Sequence, residues 1–125
     1  MLLDILDNEL TDKVIGAYYK VYNALGYGYL EKVYENAMKV ELNNCGEHSE
    51  TQKPIQVLYK GVVVGKYFAD ILVEEKLIVE LKSVTSIIPA HETQLASYLK
   101  STGISIGLLL NFGPKAEFKR KIWTI

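Results

Sequence analysis

The sequence predicts an α/β fold in which a mixed central β-sheet is flanked by helices, with the elements in the order ααβββαββ. Three observations support this prediction. Helical periodicity fills residues 9–43, and β-branched and aromatic residues dominate residues 54–84. A helix pattern then separates one strand from a later apolar run. A strand, a crossover helix and a further strand favour parallel pairing within a sheet that helices cover.

The first element is a helix over residues 9–25, ELTDKVIGAYYKVYNAL, in which apolar residues recur at helical spacing. Thr11 can cap its start, and Gly26 and Gly28 break it. A second helix follows at roughly Leu30 to Asn43. Three tyrosines of the first helix lie within about one turn, and they either pack beneath the sheet or form a dimer face: Tyr18, Tyr19 and Tyr22.

Three strands are predicted in the middle of the chain. Residues 54–73, PIQVLYKGVVVGKYFADILV, are interrupted by a tight turn at Lys60-Gly61, and residues 76–84, KLIVELKSV, form the third strand. The second hairpin lacks the Asn-Gly or Asp-Gly pair of two-residue loops. A three-residue loop, Glu74-Glu75-Lys76, is therefore favoured.

The last third of the chain is predicted to be helix, strand and strand. Pro89 opens a helix that runs to about Ser101, because its missing N–H is tolerated at a helix start. Residues 104–112, ISIGLLLNF, are typical of a strand covered on both faces. Residues 117–125, EFKRKIWTI, alternate as in an edge strand. Their lysines either discourage pairing with other chains or, with the aromatic residues, contact a nucleic-acid backbone.

Composition indicates one globular domain, residues 1–125, in a cytoplasmic protein without a membrane segment. The chain is 49% hydrophobic and 23% charged, and it has no apolar stretch of transmembrane length. Its one cysteine excludes an internal disulfide and favours a reducing compartment. The first residues carry acids where a signal peptide needs basic residues. The net charge of −1 provides no general attraction for nucleic acid, although a local patch can still bind it.

Charged residues interrupt the two apolar strands on either side of the second hairpin. With a three-residue loop, Asp70 pairs with Glu80 and Phe68 with Lys82, whereas an even-numbered loop would send Asp70 to the opposite face. Two carboxylates about 5 Å apart repel each other unless a cation lies between them. Mg²⁺ accepts one or two carboxylates and keeps its remaining waters. Lys82, about 7 Å along the strand from Glu80, can reach such a water or a phosphoryl oxygen.

The alternative interpretation is a solvated strand face that carries an ordinary Lys–Glu pair. Phe68, Leu72 and Ile78, which share this face in the predicted register, weaken that interpretation. A solvent-exposed face is not expected to alternate large apolar groups with charges, whereas a partly covered cleft is.

An acid on one strand followed by Glu80-Leu81-Lys82 on the next resembles the motif of the PD-(D/E)xK nuclease superfamily. The segment GYLEKVY, followed by ENAMKVEL, resembles the signature of the GxxExxY family, and HETQLASYL resembles the QxxxY helix of RecB-type nucleases. The order and spacing match from Leu10 to Trp123. Three positions depart from the pattern. Ala69 precedes Asp70 where a proline is expected, and Phe68 stands where a basic residue is expected. Tyr27 precedes Gly28 where a proline is usual.

The resemblance implies a restriction-endonuclease-like core and a site for Mg²⁺ or Mn²⁺. Asp70 and Glu80 would hold the ion, with the backbone carbonyl of Leu81 as a further ligand. Glu31 of the second helix would add a carboxylate. From its position alone, without the resemblance, Glu31 is better explained as a first-turn acid that favours a helix N-terminus.

The resemblance also implies roles for a lysine and two helix residues. Lys82 would orient the attacking water and offset charge in the transition state, while Gln94 and Tyr98 would position the scissile phosphate or brace the site. Gln94 and Tyr98 equally fit an amphipathic helix edge. His91, near the start of that helix, is expected at the surface or behind the site.

The implied activity is metal-dependent hydrolysis of phosphodiester bonds, with DNA favoured as the substrate and RNA kept as the alternative. One alternative is a module that keeps the nuclease fold but only binds nucleic acid or assembles with protein. Another is a hydrolase of small phosphorylated substrates. A homodimer or a partner protein is expected, because so small a domain needs help to span a duplex.

Overall fold

A computed structural model describes residues 8–124. Its elements follow the predicted order ααβββαββ, so the predicted fold class is confirmed. Residue 125, the last of the predicted edge strand, and residues 1–7 lie outside the described range. The elements are α1 (Asn8–Leu25), α2 (Glu31–Asn44), β1 (Ser49–Tyr59), β2 (Val62–Val73), β3 (Leu77–Lys82), α3 (Pro89–Thr102), β4 (Ile106–Phe112) and β5 (Ala116–Ile122).

The five strands form one mixed sheet in the order β1-β2-β3-β4-β5. Strands β3 and β4 are parallel, and the other neighbours are antiparallel. Helix α3 is the crossover between the two parallel strands, as the strand–helix–strand pattern predicted. One apolar cluster joins α1 and α2 to the sheet, and a second joins α3 to it. Because both faces are covered, every residue of β4 is buried.

Aromatic rings fill the core beneath α1 and α2. Tyr34 of α2 stacks on Phe112 with ring centroids 4.1 Å apart. The hydroxyl of Tyr18 donates to the Asn111 carbonyl at 2.5 Å, and that of Tyr22 donates to the Gly113 carbonyl at 2.7 Å. Two of the three tyrosines therefore pack beneath the sheet, where their hydroxyl groups form hydrogen bonds with backbone carbonyls. Tyr19, the third, is 38% exposed.

The local sequence explains the turns. Lys60 and Gly61 form the predicted two-residue turn, and both have positive φ, which matches the twist of the flanking strands. Two details were predicted wrongly, a helix cap and the start of a strand. Thr11 does not cap α1 but lies buried inside it, and β1 begins at Ser49, five residues before the predicted start.

Within residues 8–124, no helix combines the length and apolar character needed to span a bilayer.

Candidate functional site

A fork between β2 and β3 creates the candidate site. The two strands pair only at Ile71–Val79, Leu72–Ile78 and Val73–Leu77, which confirms the predicted three-residue loop. Before Ile71, the residues of β2 pair with β1 alone. After Val79, the residues of β3 pair with β4 alone. Asp70 and Glu80 are the first residues beyond the last shared pair, so both lie where the strands separate.

An irregularity at Asp70 changes which side chains share a face. Gln52 has a positive φ of 53°, and the Gln52–Asp70 pair is missing from the ladder between β1 and β2, although the pairs on either side of it keep the same register. Ala69 and Leu72 both pack in the α3-side core although they are three residues apart, so the alternation of β2 shifts by one residue here.

The shift overturns one detail of the sequence prediction. Phe68 does not lie opposite Lys82 on a partly covered face. It pairs with Pro54 and is 53% exposed, because β2 has already separated from β3 at this point. The predicted apolar cover of the site comes from Leu72 and Ile78, which are both buried.

The carboxyl groups of Asp70 and Glu80 meet in the fork. The Leu81 backbone N–H donates to Asp70 Oδ2 at 2.8 Å, so a side chain replaces the carbonyl that a continued ladder would supply. Glu80 is only 5% exposed, and its Oε1 is buried without a hydrogen-bond partner. A buried carboxyl oxygen without a hydrogen-bond partner is costly, so this oxygen is a candidate cation ligand.

Burial and the neighbouring acid raise the pKa of Glu80 to about 10. Loss of solvent is the largest cause, followed by the hydrogen bond and the negative charge of the Asp70 side chain, while Lys82 and the Asp70 backbone act in the opposite direction. Two carboxyl groups held together in a buried place cannot both ionise easily. The metal-free site therefore holds a proton that a cation could replace.

Helix α3 brings the polar residues of its site-facing side to the same place. The Lys82 ammonium group donates to Gln94 Oε1 at 3.3 Å. Burial raises the pKa of Tyr98 to about 12, with further contributions from Glu80 and Asp70. Gln94 and Tyr98 thus both lie beside the carboxyl pair or its lysine. His91 instead accepts a hydrogen bond from the Ile88 backbone N–H through Nδ1, at 3.1 Å, and closes the first turn of α3.

Glu31, the first residue of α2, approaches the site from the other face of the sheet. Partial desolvation and the charge of Asp70 raise the pKa of its carboxyl, while Lys82 and a backbone hydrogen bond from Ser83 lower it. Glu31 is therefore an acid of the first helical turn that also lies beside the site. Tyr34 fixes the turn before α2, because its hydroxyl donates to the Gly26 carbonyl at 2.7 Å.

The sequence analysis missed a network behind Asp70. The Gln52 side-chain amide donates to Glu35 Oε1 at 2.6 Å and to Asp70 Oδ1 at 3.4 Å. Glu35 is 3% exposed and pairs with Lys32 at 2.5 Å. One sequence signal was available, since Glu35 follows Glu31 by four residues and so shares its helix face. The left-handed conformation of Gln52 left no such signal.

A second group that sequence reasoning missed holds the segment after Lys82. The Asn111 side chain accepts from the Val84 N–H at 3.0 Å and donates to the Val84 carbonyl at 2.8 Å. Gly113 allows this approach, since an added Cβ would lie 2.0 Å from the Val84 carbonyl oxygen. These contacts fix the direction in which the chain leaves Lys82.

The residues present fit a divalent cation of the Mg²⁺ type. The described part of the chain contains no group of three or more His, Cys, Asp or Glu side chains arranged to hold a metal ion. Mg²⁺ does not need such a cage, because it is commonly bound through one or two carboxylates and retains several waters. The unpartnered oxygen of Glu80 beside Asp70 matches that requirement.

Comparison with known proteins agrees with this geometry. A family model described as PD-(D/E)XK nuclease superfamily matches residues 8–121. Among solved structures, the crystal structure of SSO0001 is similar, with a TM-score of 0.57 and 17% sequence identity. The similarity covers 76% of this chain and 50% of that one, so this chain spans about half the length of that structure, and at this identity the likeness supports the fold alone. No curated protein matches the chain.

Proposed function

Because the chain belongs to the PD-(D/E)XK nuclease superfamily, we propose that it is a nuclease that uses Mg²⁺ or Mn²⁺ to hydrolyse phosphodiester bonds. One observation carries the proposal. Asp70 and Glu80 meet at the sheet fork, where a buried oxygen of Glu80 lacks a partner. The whole chain is proposed to be one nuclease-like domain. The segments around Glu31 and Gln94 support placing it in the GxxExxY family, with a RecB-type QxxxY helix.

Asp70 and Glu80 would hold the metal, and the Leu81 carbonyl would serve as a further ligand. Glu80 would lose its proton on binding, since metal ligation requires the carboxylate. Glu31, beside Asp70, would act on the water shell of the ion or complete its ligands. A bound Mg²⁺ or Mn²⁺ supplies a water of lowered pKa and neutralises charge on the phosphate.

Lys82 would orient the attacking water and stabilise the negative charge that develops on the phosphate. Its ammonium group is held by Gln94 at the edge of the fork, so its position is already fixed before substrate binds. Gln94 would keep the lysine in place and contact the phosphate. Tyr98, largely buried beside Glu80, would brace the carboxyl pair from the α3 side.

The nuclease proposal is tested by incubating the protein with DNA and RNA substrates in Mn²⁺ or EDTA. We propose DNA as the substrate, on the family resemblance, and single-stranded, duplex, flap and junction forms would be compared with single-stranded RNA. Cleavage in Mn²⁺ only, lost in Asp70→Asn, is the expected result. Asparagine keeps the size of the side chain and an oxygen for the Leu81 N–H, so the fold is retained. Absence of metal-dependent, Asp70-dependent cleavage of every substrate would contradict the proposal.

Gln52→Gly is expected to weaken Mn²⁺ binding about tenfold, as loss of groups that orient metal ligands generally does. Gln52 links the buried Glu35 to Asp70, so its loss frees the Asp70 carboxylate. Stability should change little, because glycine relieves the left-handed conformation while the hydrogen bonds are lost. Isothermal titration calorimetry with Mn²⁺ and thermal unfolding in EDTA measure the two effects.

The matched control is Glu75→Gly, which also replaces a residue of positive φ but lies exposed in the loop after β2. It should leave Mn²⁺ affinity unchanged. Equal Mn²⁺ affinity in the Gln52→Gly variant and the wild type would show that Gln52 does not position Asp70.

A second candidate function, assembly without catalysis, is favoured by one observation. The tip of the β1–β2 hairpin exposes large apolar side chains, and β1 is an edge strand that a second copy of the chain could extend. Sedimentation equilibrium would show a dimer that Tyr59→Ser weakens and Asp70→Asn does not. The exposed residues are Leu58, Tyr59, Val62 and Val64, each about 60% exposed.

A further inference from the structure

A groove of about 580 Å³ lies between the β1–β2 hairpin and α3. Val57 and Leu58 of β1 form its apolar wall, and Tyr67 of β2 lines it with a 45% exposed side chain. Ser97, Lys100 and Ser101 contribute the wall on α3. None of the described residues that line this groove is Asp or Glu. The groove therefore combines an aromatic ring, an apolar wall and a cation.

The groove lies next to the candidate site. The ring of Tyr67 packs on that of Tyr98 with centroids 5.5 Å apart, and Tyr98 is the residue beside Glu80. Along α3, Gln94, Ser97 and Ser101 follow one another at intervals of three and four residues, so they lie on one side of the helix. A ligand in the groove would thus extend for about 10 Å, seven residues of helix rise, from Lys82 and Gln94.

We propose that this groove holds unpaired nucleotides next to the scissile phosphate, so that the substrate is a single strand or an unpaired end. The proposal rests on the nuclease function proposed above. Tyr67 offers a stacking surface for a base, Val57 and Leu58 cover it, and Lys100 contacts a phosphate. Aromatic surfaces combined with cations are the general means by which proteins bind single-stranded nucleic acid.

The chemistry of the groove disfavours a duplex. In a duplex the base faces are stacked inside and only phosphates, sugars and base edges are accessible. Tyr67 and the apolar wall would then have no base face to contact, and the single lysine of the lining would attract phosphates weakly. An unpaired strand instead satisfies the aromatic, apolar and cationic parts together.

Binding is measured without cleavage, by fluorescence anisotropy of a fluorescein-labelled 12-nucleotide DNA in EDTA. The wild-type protein should bind the single strand at least tenfold more tightly than the same sequence in a duplex. Tyr67→Ala should weaken single-strand binding about tenfold, whereas Tyr67→Phe should retain it. Lys100→Gln should reduce the slope of log affinity against log salt by about 0.7, as expected for one lost phosphate contact.

Tyr27→Ala is the matched control, because Tyr27 is an exposed tyrosine between α1 and α2 that does not line the groove. Equal or tighter duplex binding, an unaffected Tyr67→Ala variant, or an equal loss in Tyr27→Ala would each overturn the groove proposal. Binding that depends on Tyr67 without any metal-dependent cleavage would support the groove proposal and contradict the nuclease proposal. Metal-dependent cleavage that is insensitive to Tyr67→Ala and Lys100→Gln would support the nuclease proposal and contradict the groove proposal.

Discussion

Replacement of Lys82 by methionine is expected to lower the rate of metal-dependent cleavage by about 10³-fold while Mn²⁺ affinity stays within about twofold of wild type. The ammonium group lies at the edge of the fork, bonded to Gln94, and would act on the water and on the phosphate charge. Loss of one such preorganised group generally reduces rates by about 10² to 10³. Single-turnover cleavage and Mn²⁺ calorimetry measure the two quantities separately.

Lys20→Met is the control for this prediction, since Lys20 is an exposed lysine of α1. It should cleave at the wild-type rate. If Lys82→Met cleaved as fast as Lys20→Met, the lysine would have no part in the reaction. If instead Lys82→Met lost Mn²⁺ binding, its role would be to hold the carboxyl pair together.

Replacement of Glu80 by glutamine is expected to raise the free energy of unfolding of the metal-free protein by about 3–4 kcal/mol at pH 7. Burial and Asp70 raise the pKa of Glu80 from 4.5 to about 10, so the folded protein must keep a proton there that the unfolded chain releases above pH 4.5. Each pH unit above that value costs about 1.4 kcal/mol until the folded pKa is reached. The glutamine side chain does not ionise, so the free-energy cost of keeping Glu80 protonated disappears.

The sign of the pH dependence follows from the same shift. Because the folded-state pKa is raised, the contribution of Glu80 to stability is fully present below pH 4.5 and is lost as the pH rises towards 10. Urea unfolding in EDTA at pH 5 and pH 8 should therefore show the Glu80→Gln advantage growing with pH. The exposed Glu75→Gln variant is the matched control for the substitution itself.

Saturating Mn²⁺ should reverse the order of the two proteins. A ligand that binds only the folded state stabilises it, and the wild type keeps both carboxylates while Glu80→Gln keeps one. The thermal midpoint of the wild type should rise with Mn²⁺ more than that of the variant. If Mn²⁺ raised the thermal midpoint equally in both proteins, or in neither, Glu80 would not be a metal ligand.

Much of the fold could be predicted because its signals are local. Gly26 and Gly103 end helices with positive φ, Pro89 begins one, and Lys60-Gly61 closes a hairpin, each through the conformation of a few neighbouring residues. The apolar run of β4 similarly indicated a strand covered on both faces. The start of β1 was missed because residues 49–53, SETQK, include no apolar residue.

The candidate site could be predicted only in part. The period-two alternation put Glu80 and Lys82 on one face, and the loop length brought Asp70 opposite Glu80. The family resemblance added Glu31 and Gln94. The position of Phe68 was predicted wrongly, because an unbroken ladder was assumed where the strands separate. Gln52 and Asn111 were not found, because their partners Asp70 and Val84 are 18 and 27 residues away.

The sequence by itself determined the order of elements, the three-residue loop and the acidic and basic residues at the site, since each depends on residues close together in the chain. Only the tertiary structure decided that β2 and β3 separate at Asp70, that Glu80 is buried with an unpartnered oxygen, and that α3 borders a groove beside Tyr67. Solvent exclusion and long-range hydrogen bonds produce those features. Both arise only when distant segments pack together, so no local pattern records them.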